Sequence, residues 1–267
     1  LLSGEEIKKN LGTNIIIAPY SPSQLNPNSY NLRLSNELLV YDTDVLDMKA
    51  NNPVKRLTIP ETGLLLETNK VMNLTAITEP RDVAALHFLD SAALLTLEDF
   101  HGKSVVDVGT GAGFPGLPLR ILEPTIRLTL LDSLGKRVQF LESVCRELGL
   151  TDVSCIHSRA EEFAGAHRES YDLAVSRAVA ALPVLCELCL PLVRPGGKFL
   201  AMKSVESDQE LASAGHAIAT LGGAVAVVRD YVIPGTQVRH RLIIVEKAKK
   251  TPEKYPRMFA KIKKNPL

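Results

Sequence analysis

The stretch Val105-Val-Asp-Val-Gly-Thr-Gly-Ala-Gly-Phe-Pro-Gly116 constrains this chain more than any other. A short valine-rich run, with the composition of a buried strand, passes without a spacer into four glycines within residues 109–116. Glycine permits positive φ and a close approach of the backbone. The run therefore predicts a strand ending in a tight turn, where a ligand meets the N–H groups of the next helix. Such turns lie at the carboxyl edge of a parallel sheet.

The sequence from about Leu64 onward supplies that sheet. Strands are expected at Ser104–Val108, Arg127–Leu131, Val153–His157, Leu173–Ser176 and Lys198–Met202, with helical segments between them. Val138, Leu141, Val144, Cys145 and Leu148 fall at helical spacing, and a further helix is expected from Asp82 to Leu97. Ala224–Val232 and Leu242–Glu246 have no helix-length segment between them, so they predict an antiparallel hairpin at the sheet edge. The expected fold class is α/β: a doubly wound, mostly parallel seven-stranded sheet with an antiparallel edge hairpin. Residues 1–63 differ in texture. A capping box at Ser3-Gly-Glu-Glu6 is followed by β-branched runs punctuated by Asn, Pro and Ser, which predicts a small β-rich segment ahead of a domain over 64–267.

A net charge of +1 over 267 residues announces no global field for nucleic acid. The charge is uneven, however. From Lys247 to Leu267 eight basic residues face one acid, which leaves the rest of the chain at about −6. An anionic partner would be met locally, and contacts to phosphates would make binding strongly salt dependent. Cys186-x-x-Cys189 lacks the second ligand pair that a zinc site requires, so these are expected to be buried thiols and no metal is expected. No apolar run approaches the ~18 residues needed to span a bilayer, and no leader is seen, so a cytoplasmic location is expected.

Residues 111, 113 and 116 match the dinucleotide pattern G-x-G-x-x-G, but three details bear on the ligand. The strand ends at Val108, so a dinucleotide register beginning at Gly109 would want glycine where Phe114 stands. Asp107 would repel a pyrophosphate and attract the ammonium and sulfonium of S-adenosylmethionine. Asp132 ends the next strand, where ribose hydroxyls can donate to it. The last detail suits NAD equally, so an NAD-dependent oxidoreductase remains the alternative.

Several longer runs then narrow the reading: Asn69-Lys-Val-Met-Asn-Leu-Thr-Ala-Ile-Thr78, His87-Phe-Leu-Asp-Ser91, Asp107 to Pro118, Leu130-Leu-Asp-Ser-Leu-Gly-Lys-Arg137, Ser158-Arg-Ala-Glu-Glu-Phe163, Ser176-Arg-Ala178 and Tyr255-Pro-Arg257. Over about residues 64–267 the chain resembles the bacterial small-subunit rRNA guanine-N7 methyltransferases, the glucose-inhibited division protein B family. The resemblance implies transfer of a methyl group from S-adenosylmethionine to N7 of one guanine in 16S rRNA, the position numbered 527, with 16S rRNA or the small subunit as partner. Asp107, Gly109, Gly111, Gly113, Phe114, Asp132, Ala160, Glu161 and Arg177 are the expected cofactor residues. Asn73, Thr75, His87, Lys136, Arg137, Arg177 and Arg257 are the expected RNA contacts. No dedicated catalytic base is expected, because guanine N7 has a lone pair and no proton to lose, and alignment can carry the rate.

The opening residues resemble a different family, the N-terminal part of dCTP deaminases. Ser3-Gly-Glu-Glu-Ile-Lys-Lys9, Pro27-Asn-Ser-Tyr-Asn-Leu-Arg-Leu34, Asn36-Glu-Leu-Leu-Val-Tyr41 and Val45-Leu-Asp47 carry that likeness, with Asn31 where that family often has Asp. The catalytic segments of the deaminases have no match here. The chain therefore looks like a fusion, and a catalytically impaired rRNA-binding protein is a second alternative.

Overall fold

The computed structural model describes residues 74–177 and 180–267, together with Leu65, Asn69 and four short strands between residues 25 and 58. The chain forms two compact units, Leu1–Glu61 and Thr62–Leu267. In the first, β1 (Leu25–Asn26) pairs antiparallel with β2 (Ser29–Tyr30), and β3 (Glu37–Tyr41) with β4 (Val54–Thr58). The capping box at Ser3–Glu6 lies outside the described residues.

The second unit is built on one seven-stranded sheet. Its strands are β5 (Ser104–Val108), β6 (Arg127–Asp132), β7 (Val153–His157), β8 (Tyr171–Arg177), β9 (Val193–Ser204), β10 (Gly223–Val232) and β11 (Arg239–Lys247). The order across the sheet is β10-β11-β9-β8-β5-β6-β7. The five strands from β9 to β7 run parallel, while β11 pairs antiparallel with both β9 and β10. This is the doubly wound sheet with an edge hairpin that the strand–helix alternation predicts. The largest boundary difference is at β9, which begins at Val193 rather than Lys198. Arg194-Pro-Gly-Gly197 has turn composition, and the strand absorbs it as a register shift against β8 between Tyr171 and Leu173.

Helices cover both faces. The first, α1, is a continuous run that is α-helical at Pro80–Val83, π-wound at Ala84–Leu89, α-helical again at Asp90–Ala93, and ends in a 3-10 turn at Leu94–Thr96. Then come α2 (Gly116–Leu122), α3 (Gly135–Glu147), α4 (Ala160–Ala166), α5 (Leu182–Cys189), α6 (Asp208–Thr220) and α7 (Phe259–Lys264). Alternation along β5 divides the core into two layers. Val105 joins the cluster of Leu117, Leu119, Phe140, Leu141 and Val144 on α2 and α3. Val106 joins that of Leu185, Cys186, Cys189, Ala214 and Ile218 on α5 and α6. Cys186 and Cys189 are fully buried free thiols.

β5 lies between β6 and β8, so the chain leaves it toward one side for β6 and β7 and returns on the other for β8 and β9. That reversal opens a crevice at the carboxyl ends of β5 and β8, where open α/β sheets bind ligands.

Candidate cofactor and substrate cleft

A cleft of ≈ 350 Å³ occupies this crevice. One wall is the turn after β5, with Gly109, Thr110, Gly111, Ala112 and Phe114 facing the space. Gly109 and Gly111 hold φ of +71° and +61°, which an L side chain rarely adopts. The N–H groups of Gly109 and Thr110 both donate to the Leu131 carbonyl, at 2.8 and 3.1 Å, and this anchors the turn to β6.

Asp107 supports the turn from beneath. Its Oδ2 accepts from the Thr110 hydroxyl at 2.7 Å and from the Gly116 N–H at 2.9 Å. The second bond needs glycine, because a Cβ at residue 116 would meet Oδ2 at 2.8 Å. Asp107 is fully buried and is not among the residues that line the cleft. Burial pushes its carboxyl up to about 6, against hydrogen bonds from Thr110 and Gly116 that favour the anion. Its Oδ1 has no partner among the described residues.

Asp132 does reach the cleft. Its Oδ2 accepts from the Gly111 N–H at 2.9 Å, its Oδ1 from the Leu134 N–H at 2.9 Å, and Arg137 lies 3.5 Å away. One carboxylate thus ties the first turn to the start of α3. The first turn of that helix carries Lys136 and Arg137 and no acid, so their charge opposes the helix dipole. Arg137 lines the cleft; Lys136 is exposed and does not.

A second group on the cleft wall centres on Arg177, at the end of β8. Its Nη1 donates to the Leu86 carbonyl at 3.0 Å and to Asp90 Oδ2 at 3.2 Å, and its Nη2 approaches His87 Nδ1 at 2.9 Å. The guanidinium also lies 5.3 Å from the centre of the Phe114 ring. His87 stacks on the same ring with centroids 4.7 Å apart, and Phe88 meets its edge. His87 Nε2 lies 2.7 Å from the Thr75 hydroxyl. Burial, and then the Arg177 charge, lower the His87 pKa to about 4. Asp90 is fully buried and accepts at Oδ1 from Tyr231 at 2.8 Å and from His240 at 2.9 Å. Burial works to raise its pKa, but the bonds from His240 and Tyr231 and the charge of Arg177 outweigh it and hold the carboxylate low. His87 and Asp90, one helical turn apart, are thus joined through Arg177.

The structure brings Gly109, Gly111, Phe114, Asp132, Thr75, His87, Arg137 and Arg177 to one cleft. Gly113 stands behind it, where a Cβ would clash with Leu117 and Leu141. Ala160 and Glu161 open α4 and are not part of the cleft wall. Asn73 lies outside the described residues. Arg257 is drawn inward: its backbone N–H and Nε donate to Glu187 Oε1 at 2.8 and 2.9 Å, and its Nη2 to Oε2 at 2.6 Å. Glu187 is fully buried, so Arg257 neutralises an interior charge rather than offering a free guanidinium to RNA. Lys247 is similarly internal, donating to the carbonyls of Leu190 and Val193. Sequence reasoning missed Tyr231 and His240, which stand 141 and 150 residues from their shared partner Asp90 and leave no local signature.

Residues 62–238 match the family model of rRNA small subunit methyltransferase G. The chain belongs to this family. Its relatives include the ribosomal RNA small subunit methyltransferase G of Alkaliphilus metalliredigens, 46% identical over 220 residues, covering 81% of this chain and 92% of that protein. The enzyme of the same description from Staphylococcus epidermidis is 49% identical over 206 residues, covering 76% and 86%. The methyltransferase solved in complex with the Trm112 methyltransferase activator of Haloferax volcanii has the same fold. It has a TM-score of 0.52 and 17% identity, over 69% of this chain and 98% of that one. Residues 1–94 also match the dCTP deaminase-like family model, in keeping with the second resemblance.

As a member of the methyltransferase G family, this chain uses S-adenosylmethionine as its cofactor, which sets the NAD alternative aside. The cleft fits it chemically. Asp132 brings carboxylate oxygens to the wall, where ribose hydroxyls could donate, and the Arg137 and Arg177 guanidiniums put positive charge at the wall, where an amino-acid carboxylate could sit. Among the described residues, no cluster of His, Cys, Asp or Glu could hold a metal ion, and no helix is long and apolar enough to cross a membrane.

Proposed function

We propose that this protein methylates N7 of one guanine, position 527, in 16S rRNA of the small ribosomal subunit, in the cytoplasm. The observation that carries this reading is the absence of a free base among the described groups of the cleft wall. His87 Nδ1 is engaged by Arg177, and its Nε2 is engaged by Thr75. Asp132 is engaged through both oxygens by backbone N–H groups. A nucleophile that had to lose a proton would be poorly served here. Guanine N7 needs no base, because its in-plane lone pair is available at neutral pH.

When bound, S-adenosylmethionine supplies an electrophilic methyl group on a sulfonium. The chain's own residues then do three things. The glycine turn and Asp132 hold one reactant, and Asp107 keeps the turn rigid through Thr110 and Gly116. The Phe114, His87 and Arg177 layer offers a stacking surface for a planar base beside a positive group. Holding the two reactants together converts a bimolecular displacement into an intramolecular one, and this needs no proton transfer. Outside the cleft, Lys249, Lys250, Lys254, Lys261, Lys263 and Lys264 are all exposed and form the phosphate-contacting part of the basic C-terminal region.

The test is transfer of a labelled methyl group to unmethylated small subunits or 16S rRNA, with the modified base mapped. Label at N7 of one guanine supports the reading. Label on another atom or base overturns the assignment while leaving the methyltransferase intact. Cofactor binding without transfer identifies an impaired rRNA-binding protein.

A further inference from the structure

We propose that the Thr75 hydroxyl donates a hydrogen bond to the 6-oxygen of the target guanine, making Thr75 the residue that separates guanine from adenine; this rests on the guanine-N7 reading above.

The hydrogen-bond network dictates the direction of that donor. His87 Nδ1 faces two groups: Arg177 Nη2 at 2.9 Å, which can only donate, and the Leu86 carbonyl at 3.2 Å, which can only accept; the carbonyl already accepts from Arg177 Nη1 at 3.0 Å, so the shorter contact favours Nδ1 as the acceptor. The imidazole proton is then on Nε2, and it donates to Thr75 Oγ1 at 2.7 Å. His87 is half-buried, and burial together with the Arg177 charge favours its neutral form, which carries a single ring proton. Thr75 Oγ1 accepts a second bond from the Ile77 N–H at 3.1 Å. Both lone pairs of the hydroxyl are thereby used, and only its own proton remains. Among the described residues that proton has no acceptor, and Thr75 lines the cleft next to the Phe114 and His87 rings. The backbone of Thr75 is held as well. Its N–H donates to Asn69 Oδ1 at 2.8 Å, and the Asn69 amide donates back to its carbonyl at 2.9 Å.

A rigid outward donor of this kind is matched to one purine. Guanine presents O6 and N7 side by side, both acceptors, whereas adenine presents an amino donor beside N7. A donor next to the methyl-accepting nitrogen would pair with guanine and oppose the adenine amino group. A site built to hydrogen-bond a substrate group discriminates strongly against analogues that lack it.

The experiment compares the full-length protein with Thr75→Val, which keeps the shape and removes the hydroxyl, and Thr75→Ser, which keeps it. The substrates are small-subunit rRNA carrying either guanine or 2-aminopurine, which lacks the 6-oxygen, at the target position. Wild type and Thr75→Ser are expected to prefer guanine, and Thr75→Val to lose roughly tenfold to a hundredfold in kcat/KM on guanine with little change on 2-aminopurine. Comparing the ratios cancels the intrinsic N7 reactivities of the two bases. An unchanged ratio in Thr75→Val overturns the hydrogen bond and leaves N7 methylation standing. Should Thr75→Val not fold, Thr75→Ala takes its place, read by the same ratio: an unchanged ratio overturns the proposal, and a guanine-specific loss supports it. A wild-type protein that places no methyl on guanine N7 overturns the underlying reading, and the proposal with it.

Discussion

Nη2 of Arg177 donates to Nδ1 of His87 at 2.9 Å, linking residues 90 positions apart in the chain. The same guanidinium reaches the Leu86 carbonyl and the buried Asp90 carboxylate, which Tyr231 and His240 approach from the edge hairpin. Arg177 thus joins β8, α1 and, through Asp90, the hairpin, while its flat face lies near Phe114.

Arg177→Lys should not substitute for arginine. An ammonium cannot reproduce the planar fork that serves Leu86, Asp90 and His87 together. Leaving the buried Asp90 without its guanidinium should cost about 2–4 kcal/mol. Urea unfolding measures this, and a midpoint within error of wild type would refute the hub.

Asp107→Ala should lose stability and cofactor affinity together, because the carboxylate acts through the turn rather than by contact. Losing the bonds to Thr110 and Gly116 should cost about 1–3 kcal/mol. Asp107→Asn keeps an acceptor oxygen and should retain most of the affinity. Calorimetric titration with S-adenosylmethionine, beside thermal melts, distinguishes this from direct contact, in which affinity falls with no loss of stability.

Acid should act on stability through two groups of opposite sign. His87 titrates at about 4 in the fold and at 6.5 when unperturbed, so between these values the unfolded chain binds more protons and stability falls with pH. Asp107 titrates at about 6 in the fold and at 3.8 when unperturbed, so over that range the folded chain binds more protons and acid favours it. Asp107→Asn removes only the second effect. Its stability should therefore fall more steeply than that of wild type between pH 6 and pH 4, as read from urea midpoints across that range. Parallel curves would exclude a raised Asp107.

The basic residues near the C-terminus should separate into two classes. Arg257→Ala leaves Glu187 buried and uncompensated and should destabilise the fold by about 3 kcal/mol. Replacing Lys261, Lys263 and Lys264 with alanine should leave stability unchanged. It should weaken rRNA binding and flatten the dependence of log K on log salt by ~0.7–0.9 per lost phosphate contact. Filter binding at several salt concentrations, beside thermal melts, reads both classes.

Much of this was legible before any coordinates. Glycines clustered after a valine run place the turn, and strand–helix alternation gives the parallel sheet, because both signals are local and periodic. Of the five residues at helical spacing, Val138, Leu141, Val144 and Cys145 are buried, and Leu148, at the helix C-cap, is half-buried. Asp132 at a strand end reaches the cleft as expected. Asp107 and Arg257 were legible as notable residues, but their placement in the fold was not. Whether a carboxylate two residues before a glycine turn faces ligand or core depends on the pleat of β5 and on Gly116 folding back over it. Whether an arginine in a basic segment meets RNA or Glu187 depends on a partner 70 residues away.

By itself, the sequence determined the layered α/β architecture, the location of the cofactor turn and the family, because each is written in contiguous runs and short periods. Only the tertiary structure decided which side chains face the cleft and in which direction their pKa values move. Those shifts are set by burial and by partners such as Arg177 for His87, or Tyr231 and His240 for Asp90, that the chain brings together only on folding.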